Sequence, residues 1–600
     1  MTDQKRNEDT PSVVEDYARN LFRLMEESGK VFSELSAAQD NKDSKQSLAS
    51  DEMNMVAQTL GTVAERWMDD PKKAIESQTK LMSGYADLWG NTMRRMMGEE
   101  TPETAQPNSD DKRFRDEEWT SNQYFDFVKQ AYLLTSNWAE NVVEETENVD
   151  ENTKRKAAFY VTQIINALSP SNFVPTNPEL VRETMATRGD NLVRGMKMLG
   201  EDIHRGKGSL KIRQSDYDAF EVGGNLATTP GKVVFQNDLI QLIQYEATTE
   251  KVLKRPLLIV PPWINKFYIL DLTEKKSFIK WCVAQGHTVF VVSWINPDST
   301  IADKTFEDYM REGIIEACNA VETITGEKSL NAIGYCVGGT LLTTTLAHMA
   351  NGRKKPIKSA TLFTTQIDFT HAGDLMVFVD EEQIQAVEKE MAAEGYLDSK
   401  HMATAFNMLR ANDLIWPYMV NVYGKGESPF PFDLLYWNSD STRMPATNHS
   451  FYLREYYLNN NLTTGRMEMG GKKLDLGKVT IPIYNLATKE DHIAPAKSAY
   501  HGSRYLGGDV KYVLAGSGHI AGVINSPNKP KYQYWTGKPP VEGTLEDWME
   551  TATETPGSWW PNWQEWIVSQ DSKMVDAREI GGGGLKPIED APGSYVKMKS

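Results

Sequence analysis

Residues 330–347 read LNAIGYCVGGTLLTTTLA, and this stretch limits the fold more than any other in the chain. Short and β-branched residues lead into Gly334-Tyr335-Cys336-Val337-Gly338-Gly339, and helix formers and threonines follow at once. A strand therefore stops, turns sharply and becomes a helix, with a cysteine at the bend. Glycines two before and two after the bend residue suit such a turn, because neighbouring backbone comes too close to admit a Cβ. A helix N-terminus behind the side chain favours a thiolate, and the backbone N–H of Val337 points at an oxyanion developing there. Cys336 is read as a nucleophile. Cys282 and Cys318 sit inside apolar helical patterns and are read as packed thiols.

From about residue 230 the chain alternates short apolar runs with helix-like segments. KVVFQ, LIQLIQY, PLLIVPP, HTVFVVSW, LNAIGY, SATLFTT, TIPIYNLA and VKYVLAG read as strands, the later ones apolar on both faces as parallel strands are. The repetition implies an α/β class with a mostly parallel, doubly wound sheet, and a nucleophile on a strand-to-helix turn makes it the α/β-hydrolase fold. That domain is expected over 230–600. More than a hundred residues without the strand rhythm, rich in Phe, Tyr, Trp and Asn, follow the sixth strand and are read as a cap insertion at about 368–478. The tail, from GSWWPNW through GGGG to APGSYVKMKS, reads as a surface wrap.

Upstream, Val14, Tyr17, Leu21 and Met25, then Val56, Leu60, Val63 and Trp67, recur at helical steps. Residues 1–98 are expected to be a helical, loosely attached extension, 99–113 a polar linker, and 114–229 an N-terminal helical domain.

An elbow nucleophile needs an acid and then a histidine later in the chain. TIPIYNLA is followed by TKEDHIAP, which puts Asp491 at a strand's C-terminal end; VKYVLAG is followed by SGHIAGVIN, which puts His519 in a glycine-flanked loop. Glu490 is the rival acid, with the shorter Asp491 better suited to the strand end. His492 could orient the acid or add a polar contact. The other histidines, at 204, 287, 348, 371, 401, 449 and 501, read as solvated or packed. The second oxyanion donor is expected from the loop after the third strand, where Ile264 is the natural candidate.

A net charge of −18, from 83 acidic and 65 basic side chains, argues against nucleic acid or an anionic lipid surface as partner. Three cysteines, none at a metal-binding spacing, suggest a reducing compartment and no metal. No run reaches the roughly 18 apolar residues of a membrane span, and the first residues lack a signal-peptide core. A soluble, cytoplasmic protein is expected.

Together, GYCVGG, VPPWINKFYILDL, VVSWINPD, KEDHIAP, SGHIAGVINSP and GSWWPNW resemble the polyhydroxyalkanoate synthases, most closely the class I, single-chain enzymes of short-chain monomers. The resemblance runs from about residue 110 to the C-terminus, and residues 1–98 depart from it. It implies Cys336, Asp491 and His519 as the catalytic set, and (R)-3-hydroxyacyl-CoA and a growing polyester chain as substrates. CoA then comes with the substrate, and no separate cofactor is needed. It further implies a homodimer to which Trp437 is tied, a family aspartate at Asp271, and action at the surface of polymer granules beside phasin-like proteins. The same fold and residues would also suit an acyl-CoA thioesterase or polyester depolymerase. A granule scaffold is the non-enzymatic alternative, and an intact Cys336, Asp491 and His519 speaks against it as the sole role.

Overall fold

The architecture is that of a computed structural model describing residues 13–39, 46–529 and 531–600; residues 1–12 and 40–45 of the expected N-terminal extension lie outside the described residues. All eight apolar runs are strands: β1 Gly231–Gln236, β2 Ile240–Tyr245, β3 Leu257–Val260, β4 Val289–Trp294, β5 Leu330–Tyr335, β6 Ile357–Phe363, β7 Ile483–Thr488 and β8 Val510–Ala515. Three more, β9 Gln533–Thr536, β10 Thr553–Pro556 and β11 Glu589–Asp590, extend the edges. They form one 11-stranded sheet in the order β10-β9-β8-β7-β6-β5-β3-β4-β2-β1-β11.

From β4 to β8 every neighbouring pair is parallel. The outer strands pair antiparallel. Every residue of β3, β4, β5 and β7 is buried, as expected of strands covered on both faces. The chain lays β4 on one side of β3 and β5 on the other, so the strand order reverses there. Ligands of such sheets bind outside the carboxyl ends of the strands at that switch point, and the loops after β3, β5, β7 and β8 all open on this edge.

The start of the tail is not on the surface, although residues 571–600 are mostly exposed or half-buried. Trp559, Trp560 and Trp563 are each 0% exposed. Phe278 lies 5.1 Å from the Trp560 ring, and Phe363 5.0 Å from the Trp559 ring. Full burial is possible because each indole N–H finds an acceptor: Gly522 O, Val523 O and Thr361 Oγ1, respectively. Further on, β11 adds an edge strand beside β1.

The chain divides into a helical unit, residues 1–216 with 410–430, and a sheet unit, residues 217–409 with 431–600. The boundary falls earlier than the expected 229/230, because Tyr217 and Phe220 pack on Tyr436 at 6.3 and 5.2 Å and Thr229 hydrogen-bonds Asp271. Residues 410–430 of the expected cap belong instead to the helical unit, where Tyr423 donates to Asp202 and Asn412 to Asn166.

Within the helical unit, α1 Val13–Gln39, α2 Gln46–Met68, α3 Pro71–Met96, α4 Gln123–Glu145, α5 Glu151–Ala167, α6 Pro178–Ala186 and α7 Asp190–Arg205 are the long helices. The extension is not loose here: Arg23 pairs with Asp190 at 2.8 Å, tying α1 to α7, and Arg95 with buried Asp126 at 2.5 Å, tying α3 to α4. Nor is 99–113 a free linker. Glu103 pairs with the buried Lys129 ammonium at 2.8 Å, and Thr104 N–H donates to Gln130 at 2.6 Å. Burying Lys129 and Gln130 requires such partners, and the polar composition that suggested a linker supplies them. Among the described residues no helix is long and apolar enough to cross a membrane.

Candidate active site

Cys336 joins β5 to α8 (Val337–Ala350) with φ 52° and ψ −125°, a conformation L residues rarely hold. Such strain costs on the order of 1–3 kcal/mol and persists only when the surroundings impose it. Here the Cys336 N–H donates to Phe363 O of β6 at 2.9 Å, and its carbonyl accepts from Gly339 and Thr340 at 2.9 and 3.1 Å. The glycines make room. A Cβ on Gly334 would stand 2.5 Å from Gly339 Cα, and one on Gly338 would stand 2.5 Å from both Val260 O and Pro261 O. Because backbone, not a flexible side-chain tip, blocks Gly338, Gly338→Ala is expected to destabilise the protein by about 1–3 kcal/mol, as overpacking does. A urea midpoint shifted down, with activity reduced in parallel, checks it; an unchanged midpoint refutes the close approach.

The acid and the histidine arrive from the two following parallel strands. Asp491 follows β7, and its Oδ1 accepts from the N–H groups of Ile493 and Ala494 at 2.9 and 2.8 Å, while Thr488 donates to Oδ2 at 3.2 Å. Its orientation is fixed before the histidine is considered. His519 follows β8 and places Nδ1 2.7 Å from Asp491 Oδ2, with both side chains buried. Tyr335 stacks on the imidazole at 5.7 Å and donates to the His519 carbonyl at 3.1 Å. Burial pushes the His519 pKa down, but the Asp491 carboxylate and the Cys336 sulfur facing the ring outweigh it and raise the value to about 10. Cys336, His519 and Asp491 are thus brought together. Glu490, the rival acid, is exposed.

Val337 is the first residue of α8, where a backbone N–H has no acceptor within the helix. Ile264 lies half-buried against the core, in the loop after β3. Asp271 does not join this group. It is buried and accepts from Thr229 Oγ1 at 2.5 Å and Ser277 Oγ at 2.6 Å, and Ser277 in turn caps helix Phe278–Ala284, so its visible work is to brace that helix. Burial is the main cause raising its pKa. His492 is half-buried beside Asp491, with its carbonyl facing Gly373. Trp437 is buried, and its indole N–H donates to Lys266 O at 2.7 Å.

Sequence reading missed two buried tyrosines near Cys336. Tyr452 and Tyr457 are buried, which is the main cause of their raised pKa, and nearby Cys336 adds to it. Tyr457 donates to Gln366 at 3.2 Å and packs on Phe369 at 4.8 Å. These aromatics were visible only as part of an aromatic-rich insertion, with no motif to single them out.

The family described as poly-beta-hydroxybutyrate polymerase (PhaC) N-terminus matches residues 110–282, and the alpha/beta hydrolase fold matches residues 256–525. The poly(3-hydroxyalkanoate) polymerase subunit PhaC of Rhizobium etli is 57% identical over 591 residues, covering 98% of this chain and 93% of the relative. The poly(3-hydroxyalkanoate) polymerase of Methylorubrum extorquens is 57% identical over 550 residues, covering 92% of this chain and 91% of the relative. The corresponding subunit of Cupriavidus necator is 40% identical over 537 residues, covering 88% and 89%. With such identity over nearly the whole length of these relatives, the chain belongs to the poly(3-hydroxyalkanoate) polymerases, enzymes that make polyester, built on an α/β-hydrolase fold.

Proposed function

We propose that the protein is a class I polymerising acyltransferase that condenses (R)-3-hydroxyacyl-CoA, with 3-hydroxybutyryl-CoA as the preferred short-chain monomer, into polyhydroxyalkanoate with release of CoA. The observation that carries the reading is a cysteine, not a serine, at the strained elbow beside His519 and Asp491. In the first half-reaction the Cys336 sulfur attacks the thioester carbonyl while His519, carrying its proton, protonates the departing CoA sulfur. The N–H groups of Val337 and Ile264 hold the oxyanion. One thioester replaces another, so the step is nearly thermoneutral and the acyl group stays activated; a serine ester would forfeit that.

In the second half-reaction the 3-hydroxyl of a monomer or of the growing chain attacks the acyl-Cys336. His519, now neutral, takes the hydroxyl proton, an ester forms, and the Cys336 sulfur is released. Water must lose this competition, and the buried Phe369, Tyr452 and Tyr457 support a dry site in which a held alcohol outcompetes it. Substrate access and polymer exit then require the cap to move. No resident cofactor is needed, since CoA arrives with the monomer. The reading places the enzyme in the cytoplasm at the granule surface as a homodimer, in the company of phasin-like proteins.

The test is incubation with (R)-3-hydroxybutyryl-CoA, with thiol release followed by dithio-reagent, chloroform-soluble product weighed and free 3-hydroxybutyrate assayed. Thiol release with polymer is expected. Thiol release with free acid alone would make the protein a thioesterase instead.

A further inference from the structure

The loop after β3 is held by a segment 171 to 174 residues further along the chain. Trp437 Nε1 donates to Lys266 O at 2.7 Å, Lys266 Nζ to Asp440 Oδ1 at 2.9 Å, and Tyr268 OH to Asp440 Oδ2 at 3.0 Å. Lys599 reaches the same Oδ1 at 2.8 Å, and Met598 O accepts from Lys266 at 2.8 Å. This network fixes one end of the loop. Thr442, 5% exposed, holds the middle of the loop. Its hydroxyl donates to Trp263 O at 2.7 Å and accepts from Asn265 N–H at 2.9 Å.

Those two bonds bracket Ile264. In a trans peptide the carbonyl and the following N–H point in opposite directions. With Trp263 O turned toward Thr442, the Ile264 N–H of the same peptide unit faces away from it. The next residue, Asn265, holds φ 65°, a left-handed conformation uncommon outside glycine and in need of support. The hydrogen bond from its N–H to Thr442 supplies that support. The loop begins against the elbow itself, since Val260 O and Pro261 O are the atoms that exclude a Cβ from Gly338.

We propose that Thr442 is a positioning residue whose single hydroxyl sets the peptide plane that presents the Ile264 N–H to the oxyanion formed at Cys336. The inference rests on the reading of Ile264 as the second donor and of Cys336 as the acylated residue. Thr442 touches no reacting atom. It acts through the loop, at the cost of fixing a strained turn.

The experiment compares wild type, Thr442→Val and Thr442→Ser in the full chain. Valine keeps the shape and loses both hydrogen bonds; serine keeps the hydroxyl. Two rates are read: CoA release from (R)-3-hydroxybutyryl-CoA in a single turnover, and alkylation of Cys336 by iodoacetamide, which needs the nucleophile and His519 but no oxyanion donor. Losing one oxyanion donor slows the chemical step by about 10²–10³-fold. Thr442→Val is expected to show a fall of that order in the single-turnover rate of CoA release at saturating substrate, and alkylation within threefold of wild type. Thr442→Ser is expected to restore CoA release to within about tenfold of wild type. Equal loss of both rates in Thr442→Val would mean that Thr442 supports the elbow or the fold, and would overturn the proposal. So would a Val variant as fast as wild type in both. Wild type that is alkylated yet never releases CoA would instead bring down the proposed function itself.

Discussion

Cys336→Ala is expected to abolish polymer formation and to slow CoA release by at least about 10⁴-fold, the order of loss seen when a covalent nucleophile is removed from a triad. The loss should be chemical, not structural. Cys336 makes no side-chain capping bond to α8, and its half-buried sulfur fills little of the core, so the fold should survive its removal. Strain adds a second, opposite readout. At φ 52° and ψ −125° any side chain is unfavourable, and the hydrogen bond from its N–H to Phe363 O and the contact of Gly334 with Gly339 hold it there. Cys336→Gly removes the Cβ and should therefore be more stable than Cys336→Ala by about 1 kcal/mol while being equally inactive. Cys336→Ser would fit the space yet form an oxygen ester, losing the activation that elongation uses. Urea midpoints for the three variants, with CoA release measured on the same preparations, decide the matter. Polymer from the alanine variant, or a glycine variant less stable than alanine, would mean that the elbow does not work as described.

The sheet and the three central residues were legible because they are written locally. GYCVGG carries its own turn: two glycines that must lack a Cβ, one strand before and one helix after. Asp491 and His519 were legible because each ends a continuous apolar strand, and the chain order after Cys336 admits few candidates. What sequence did not disclose depends on distant partners. GSWWPNW reads as part of a surface wrap, yet three indoles are buried once Gly522, Val523 and Thr361 offer acceptors. GEETPETAQPNSDDKR looked like a linker because it is polar, but Glu103 is the partner of buried Lys129 on α4. Thr442 is one threonine among many until Trp263 O and Asn265 N–H are seen on either side of its hydroxyl. Residues 410–430, in the middle of a continuous aromatic insertion, gave no sign that they belong to the helical unit.

Asp491→Asn is expected to lower kcat by about 10⁴-fold while leaving the backbone of the site in place. The amide oxygen of an asparagine can keep both hydrogen bonds from Ile493 and Ala494, so its NH₂ is left facing His519 Nδ1. That nitrogen must then be the acceptor, and the ring proton moves to Nε2, where it blocks removal of a proton from the attacking hydroxyl. Glu490→Gln, at the exposed neighbour, is expected to behave as wild type. The same change has a signature in stability. His519 is raised from 6.5 to about 10 despite burial, so its charged form adds stability that is fully present below pH 6.5 and lost as pH rises through about 10. Without the carboxylate, burial is opposed by Cys336 alone, and the imidazole pKa falls. The urea midpoints of wild type and Asp491→Asn should therefore lie furthest apart below pH 6.5 and converge as pH rises toward 10. Parallel curves across that window would show that the Asp491 carboxylate does not hold the charge on His519, and with it would go the account of how this histidine first donates a proton and then accepts one.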